Sequence, residues 1–294
     1  MYAVMGATGH VGSAVANYLL ERGEKVLAIV RERKRAEKLS AAGADVVEVD
    51  VHDVAGLRNV FQRCRRAFLL NPPADISTDT DTEERKTVRC ILQAFEGSRL
   101  EFAVAESTYG AHPGERCGDL NVLYELEQGL QNQPIPVVIQ RAAYYMSNWD
   151  AFLVPARESG KLPTLFPADF VIPMVDPEDL GRNAGRLLMQ DEVRNHTIYM
   201  EGPERYSPND VARAFSKALG REVEPAVVPE RRWHGTFREL GFSEDAASSY
   251  SKMTKATLES TFEIPGRPLR GSISLEAHIS RLVAAPNLQR KVTS

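Results

Sequence analysis

The sequence predicts an α/β fold: a doubly wound parallel sheet of Rossmann type, with a smaller, mainly C-terminal α/β lobe. Three observations predict it. A glycine motif, Gly6-Ala7-Thr8-Gly9-His10-Val11-Gly12, follows the first apolar run and opens an amphipathic stretch. Short apolar runs then alternate with helical patterns through about residue 150. After Trp149 that rhythm breaks into proline- and glycine-punctuated segments.

The predicted strands of the first half are Tyr2–Met5, Lys25–Val30, Asp45–Val49, Arg66–Leu70, Glu101–Ala105 and Pro136–Gln140. Each is short and rich in Val, Ala, Leu or Phe, as a strand covered on both faces must be. Helices are expected at Val11–Arg22, Arg33–Ala42, Val54–Arg63, Glu83–Glu96 and Leu120–Gln131. In the first, Val11, Val15, Tyr18 and Leu19 share a face, and Gly23 marks its stop. Right-handed crossovers then make a doubly wound sheet the natural arrangement.

The segment Phe152–Phe170 carries Pro155, Gly160, Pro163 and Pro167 and reads as loop. Val171–Val175 reads as a strand leading to a helix near Leu180–Met189, with Asp176 as N-cap and Pro177 in the first helical position. His196–Met200 reads as a strand, Ser207-Pro208-Asn209-Asp210 opens a helix to Leu219-Gly220, and Pro225 onward reads as irregular helix. Residues 1–150 are therefore expected to form a dinucleotide-binding domain to which segments near 171–200 return, and residues 151–294 mainly a substrate lobe.

Composition narrows the function classes. The 294 residues carry a formal net charge of −4, which gives no basic footprint for nucleic acid. Cys64, Cys90 and Cys117 lack metal-ligand spacing and fit a reducing compartment. His196, His234 and His278 have no carboxylate or cysteine at ligand spacing, so no metal site is expected. No run is apolar for long enough to span a bilayer, and a soluble, cytoplasmic protein is expected.

The glycine motif carries the strongest chemical signal. Its first glycine lets the chain turn, the second lets backbone approach a pyrophosphate, and the third lets helix pack on strand. The helix N-terminus then offers free N–H groups and partial positive charge to phosphate. The G-x-x-G-x-x-G spacing of Gly6, Gly9 and Gly12 marks short-chain and extended dehydrogenase/reductase folds. His10 within it reads as a phosphate-side or surface residue. Where an NAD-preferring domain carries an acid for the ribose 2′-hydroxyl, this chain has Val30-Arg31, followed by Arg33, Lys34 and Arg35. A guanidinium at Arg31, with Lys34 nearby, suits a 2′-phosphate, so NADP(H) is the expected cofactor.

With these residues in view the chain resembles the NmrA-like family of atypical short-chain dehydrogenase/reductases over nearly its whole length. The resemblance rests on Gly6–Gly12, Val30-Arg31, Val49-Asp50, Leu69-Leu70-Asn71-Pro72-Pro73, Glu127-Gln128-Gly129-Leu130, Tyr144-Tyr145-Met146-Ser147-Asn148-Trp149 and Met200-Glu201-Gly202-Pro203. It implies that Asp50 and Val51 lie at the adenine, that Asn71, Pro72 and Pro73 lie beside the ribose and nicotinamide, and that Tyr144 to Ser147 border the nicotinamide end. It also implies one of two activities: an NAD(P)H-dependent quinone or azo-dye reductase, or a redox-sensing regulator that acts through a protein partner with little catalysis.

The short-chain dehydrogenase dyad, Tyr-x-x-x-Lys, is missing: none of the nine tyrosines precedes a lysine by four residues, and Tyr124 on the expected helix faces Gln128. A quinone, enone or azo acceptor asks mainly that two flat rings be positioned. Tyr144, Tyr145, Met146 and Trp149 offer an aromatic wall for such a ring, and the same cluster also reads as core. Ser107 stands at the end of the fifth strand, where a catalytic serine is common, with Tyr109 and His112 after it. Ser107, Tyr109 and Tyr145 are thus the candidate catalytic groups. The expected partners are a small aromatic or quinone-like acceptor, and a second copy of the chain or a protein partner.

Overall fold

The computed structural model describes residues 1–192 and 194–285. The first half runs β1 (Tyr2–Val4), α1 (His10–Leu20), β2 (Val26–Val30), α2 (Glu37–Ala41), β3 (Asp45–Glu48), α3 (Val54–Gln62), β4 (Arg66–Leu69), α4 (Thr80–Phe95), β5 (Phe102–Thr108), α5 (Asp119–Gln131) and β6 (Val137–Ala142). The second runs β7 (Tyr144–Tyr145), α6 (Leu153–Ser159), β8 (Lys161–Thr164), β9 (Ile172–Val175), α7 (Pro177–Leu188), β10 (His196–Glu201), β11 (Arg205–Tyr206), α8 (Pro208–Leu219), β12 (Glu224–Val227), α9 (Trp233–Glu239), α10 (Glu244–Glu259), β13 (Leu269–Arg270) and α11 (Leu275–Ala284).

Eight strands form one parallel sheet in the order β3-β2-β1-β4-β5-β6-β10-β13. Successive strand residues point to opposite faces. Val4, Val26, Val104 and Val138 thus meet α1 and α7 on one face, while Ala3, Leu27, Ala103 and Ile139 meet α3, α4 and α5 on the other. Each fully buried Val, Leu or Phe contributes about 2 kcal/mol of apolar transfer. The strand order reverses between β1 and β4, which opens a crevice at their carboxyl ends.

Helix α7 returns to the sheet against α1, and β10 pairs with β6. The α1–α7 contact is close: a Cβ on Gly181 would lie 2.4 Å from the Ala14 Cβ and 2.7 Å from the Val11 carbonyl oxygen. The start signals read from sequence hold. Asp176 caps α7 by accepting from the Glu178 N–H at 2.8 Å, with Pro177 following. Ser207 and Asp210 form a reciprocal capping box on α8, which Gly220 ends in the left-handed conformation.

The remaining segments build the second lobe around Met146, Trp149, Leu162, Phe166, Met174 and Phe215. Here the structure corrects the sequence reading. Phe152–Phe170 holds α6 and β8 rather than loop alone, because Pro155 sits in a first helical turn and Pro163 lies in a two-stranded pair of β8 with β12. The stretch read as helical from Pro225 contains β12 and β13, and Arg33–Ala42 divides into a 3₁₀ turn and the short α2. The lobe is fastened over the crevice: the Gly118 N–H donates to Ser249 Oγ at 2.9 Å, and Arg116 pairs with Asp79 and Asp245, each at 3.0 Å. No helix among the described residues is long and apolar enough to cross a membrane.

The C-terminal helix is locked by a charge the sequence did not reveal. His278 on α11 lies between Asp176 (Nδ1 to Oδ2, 2.8 Å) and Asp150 (Nε2 to Oδ1, 2.8 Å), while Arg281 reaches Asp176 and Glu178, each at 2.6 Å. Burial opposes the imidazolium, but hydrogen bonds to Asp150 and Asp176 and their charges outweigh it and hold the group up to about 9. From its ordinary value of 6.5, a rise to about 9 corresponds to a stabilisation on the order of 3 kcal/mol. That stabilisation is complete below pH 6.5 and is lost as pH rises through about 9. His278→Gln should therefore melt below the native protein at pH 6, and the gap should close between about pH 7 and pH 10. Melting curves across that range check it; a gap that does not change with pH contradicts it.

Candidate functional site

The crevice begins at the turn after β1. Gly6 has φ +59°, and its absent Cβ leaves room for Leu70, whose Cδ2 would otherwise lie at 2.4 Å. Gly12 lies directly over the same turn: a Cβ there would meet the Gly6 carbonyl oxygen at 2.2 Å. Gly9 differs, since its Cβ would meet only that oxygen, at 3.3 Å. The fold thus demands glycine at 12 and only weakly at 9. Helix α1 starts after Gly9 with no side-chain cap and no acid in its first turn. The N–H groups of His10, Val11 and Gly12 have no intrahelical acceptor, so the helix end offers donors and positive potential to an anion.

Beyond β2, Arg31 is exposed. Arg33 is tied down: its N–H donates to Glu48 Oε2 and its guanidinium to the Val46 carbonyl, both at 2.9 Å. Lys34 is exposed and lines a shallow groove with Glu37, Ser40 and Val46. Asp50 holds the turn after β3 by accepting from the His52 N–H at 2.8 Å, and Val51 packs on the apolar layer of that face. At the end of β4, Asn71 is buried and its Oδ1 has no partner among the described residues, with Pro72 and Pro73 following. A buried amide oxygen of this kind awaits a donor. The glycine turn, the uncapped α1, the orphaned Asn71 oxygen and the exposed Arg31 together fit a phosphorylated dinucleotide.

The other side of the crevice is acidic and aromatic. Tyr145, half-buried just past β6, has its hydroxyl 3.3 Å from Glu106 Oε1. Glu106 is buried in β5, and burial, opposed by hydrogen bonds from Gln140 and Tyr145, pushes its carboxyl up to about 8. Glu84 on α4 is also held up to about 8, by burial and then by the charge of Asp119. Asp119, at the start of α5, is raised by desolvation. Burial and the charges of Asp119 and Glu84 raise Tyr250 of α10. Sequence reading missed all four groups. Glu106 alone gives a signal, as a lone carboxylate directly after the apolar run Phe102–Ala105.

Other candidates lie elsewhere. The Ser107 hydroxyl donates to Glu127, itself paired with Arg141 at 2.6 Å on the α5 face of the sheet. The Tyr109 hydroxyl is 3.3 Å from Glu201, which also holds Arg205 and Arg270, each at 2.9 Å. Both side chains serve buried ionic clusters. Met146 and Trp149, expected in the acceptor wall, are 0% and 2% exposed and form the core of the second lobe. An aromatic run after a strand serves either role, and here Phe166, Met174 and Phe215 close around it. Tyr144 packs edge-on against Phe166 at 5.8 Å and stays partly exposed. His10 faces an outer groove shared with Asp176 and His278. No group of three potential ligands for a metal occurs among the described residues.

A family model, the NmrA-like family, matches residues 2–267. The chain belongs to the NmrA-like family. It is 21% identical to the NAD(P)H azoreductase of Xenophilus azovorans, over 92% of this chain and 94% of that one. It is 22% identical to quinone oxidoreductase 2 of Escherichia coli, over 84% of each chain. The fold is shared with the NADPH-dependent quinone oxidoreductase of E. coli in complex with NADPH (TM-score 0.77, 20% identity, 96% of this chain and 99% of that one). It is shared equally with the Citrobacter triphenylmethane reductase complexed with NADP(H) (TM-score 0.79, 19% identity, 96% and 99%).

The unequal demands at Gly9 and Gly12 give a direct test. Gly9→Val should keep the native circular dichroism yet lose dinucleotide binding, because its side chain occupies the approach to the α1 amides. A folded variant that titrates with NADPH as the native protein does would assign the turn a structural role alone.

Proposed function

We propose that this protein is an NADPH-dependent reductase that passes hydride to a flat, electron-poor acceptor, a quinone, enone or azo compound. The observation that carries the reading is the crevice itself. An uncapped helix N-terminus and a glycine turn face it, with Arg31 where an acid would select NAD. The names of the relatives, an azoreductase and a quinone oxidoreductase, support the same class.

In this reading the His10–Gly12 amides hold the pyrophosphate, Arg31 the 2′-phosphate, and Asn71 an N–H or O–H donor of the cofactor near its nicotinamide end. The bound cofactor supplies the hydride. Tyr144 and Tyr145 flank the acceptor ring and fix its plane, which is the entropic part of the barrier. The lobe carrying α10 covers the crevice and limits water. Tyr124 on α5 lacks a lysine four residues on and takes no acid role.

Arg31→Ala should cost NADPH binding on the order of 2 kcal/mol, about 30-fold, and leave NADH binding nearly unchanged. Titration of both variants with both cofactors measures it. Equal affinity of the native protein for NADPH and NADH would sink the assignment. Turnover is read separately, from NADPH oxidation with quinone and azo acceptors.

A further inference from the structure

The crevice holds one group that positioning of rings does not use. Glu106 sits on β5 opposite Gln140 of β6, and the side chains of both point toward α7. A chain of amides joins them to the surface, and its polarity is fixed at its far end. Arg186 can only donate, and it donates to Asn183 Oδ1 at 2.9 Å. Asn183 Nδ2 therefore donates to Gln140 Oε1 at 2.6 Å. That leaves Gln140 Nε2 to donate to the Leu180 carbonyl at 3.2 Å and to Glu106 Oε2 at 2.8 Å. Glu106 Oε2 is thus committed as an acceptor. A proton on this carboxyl must reside on Oε1, the oxygen facing Tyr145. The Tyr145 O–H donates to Oε1 when the carboxyl is ionised; a protonated Oε1 can donate instead, which releases the Tyr145 O–H to donate elsewhere.

We infer that Glu106 stores the proton that completes reduction of a neutral acceptor, and that Tyr145 delivers it. This rests on the reductase reading above. In the balanced step, hydride adds to the quinone and its oxyanion takes the Tyr145 proton. The Glu106 proton moves to the tyrosyl oxygen, and the carboxylate regains a proton from solvent after product leaves. Net, quinone, NADPH and one proton give hydroquinone and NADP⁺. The pair replaces the missing tyrosine–lysine dyad with a tyrosine backed by a neutral acid.

The surroundings favour the protonated form. From β6 and β7 the carboxyl meets Gln140 and the Tyr145 hydroxyl, and α7 offers only the Leu180 carbonyl and, beyond Gln140, Asn183 and Arg186. Asp119 of α5 bears on Tyr145 with negative charge, and Glu84 and Tyr250 adjoin Asp119. The Glu127–Arg141 pair is on the opposite face of the sheet. Among the described residues no cation touches Glu106, and its carboxyl held at about 8 is neutral at pH 7.

The test compares two acceptors with different proton needs under saturating NADPH. Menadione requires a proton; crystal violet, a delocalised carbocation, becomes neutral on taking hydride and requires none. Glu106→Gln keeps both hydrogen bonds, since its Oε1 can accept from Gln140 and its amide can donate to Tyr145. Its kcat with menadione should fall about 100-fold, with less than about a tenth of that loss for crystal violet. The native rate with menadione should decline above about pH 8, and this limb should vanish in the variant. Tyr145→Phe should reproduce the menadione defect. Equal losses with both acceptors overturn the proposal. So does a limb that persists in Glu106→Gln, which would assign it to Glu84. Difference infrared spectroscopy at pH 7 reads the stored proton without turnover: the native-minus-Glu106→Gln difference spectrum must show a protonated-carboxyl band, since the contribution of Glu84 is common to both and cancels. A missing band overturns the proposal, whereas a native protein that reduces neither acceptor overturns the reductase reading instead.

Discussion

The seating of α1 governs the rest of the molecule. On one side, the Gly12 backbone rests on the carbonyl of Gly6, where a Cβ would approach to 2.2 Å. On the other, Gly181 of α7 lets the two helices meet where a methyl group would stand 2.4 Å from Ala14. Overpacking such a contact costs about 1–3 kcal/mol and, more to the point, moves the helix. With both contacts made, the start of α1 has one position relative to the ends of β1 and β4. Its unpaired amides then open on the crevice rather than into the sheet.

The same contact explains why the chain leaves the first domain and comes back. Helix α7 must reach α1 before β10 can extend the sheet beside β6. The Asp176 cap that starts α7 is in turn gripped by His278 and Arg281 of α11. The C-terminal helix therefore bears on the orientation of the crevice through one carboxylate. The remaining segments, from α10 back to α4, cover the opposite rim.

Local chemistry was legible in the sequence, and long-range chemistry was not. The glycine turn and the caps at Asp176 and Ser207 act within a few residues and are read directly. Phe152–Phe170 misled because prolines that usually mark loops also tolerate a first helical turn and a two-stranded edge. Met146 and Trp149 look alike in sequence whether they wall a pocket or fill a core. His278 finds its carboxylates 102 and 128 residues away, beyond any spacing rule. Glu84 sits on a helix whose polar residues read as solvated until α10 packs against it. Glu106 interrupts an apolar strand, but its partners, Gln140 and Tyr145, come only with the register of β5 and β6.

A dinucleotide phosphate held in the crevice between β1 and β4 would rest on the amides that open α1. Amide NMR shifts of the ¹⁵N-labelled protein, recorded on addition of NADP⁺, test it most directly. The largest changes are expected at His10, Val11 and Gly12, with a second group at Arg31 and Asn71. Shifts concentrated elsewhere, with the α1 amides unmoved at saturation, would contradict it.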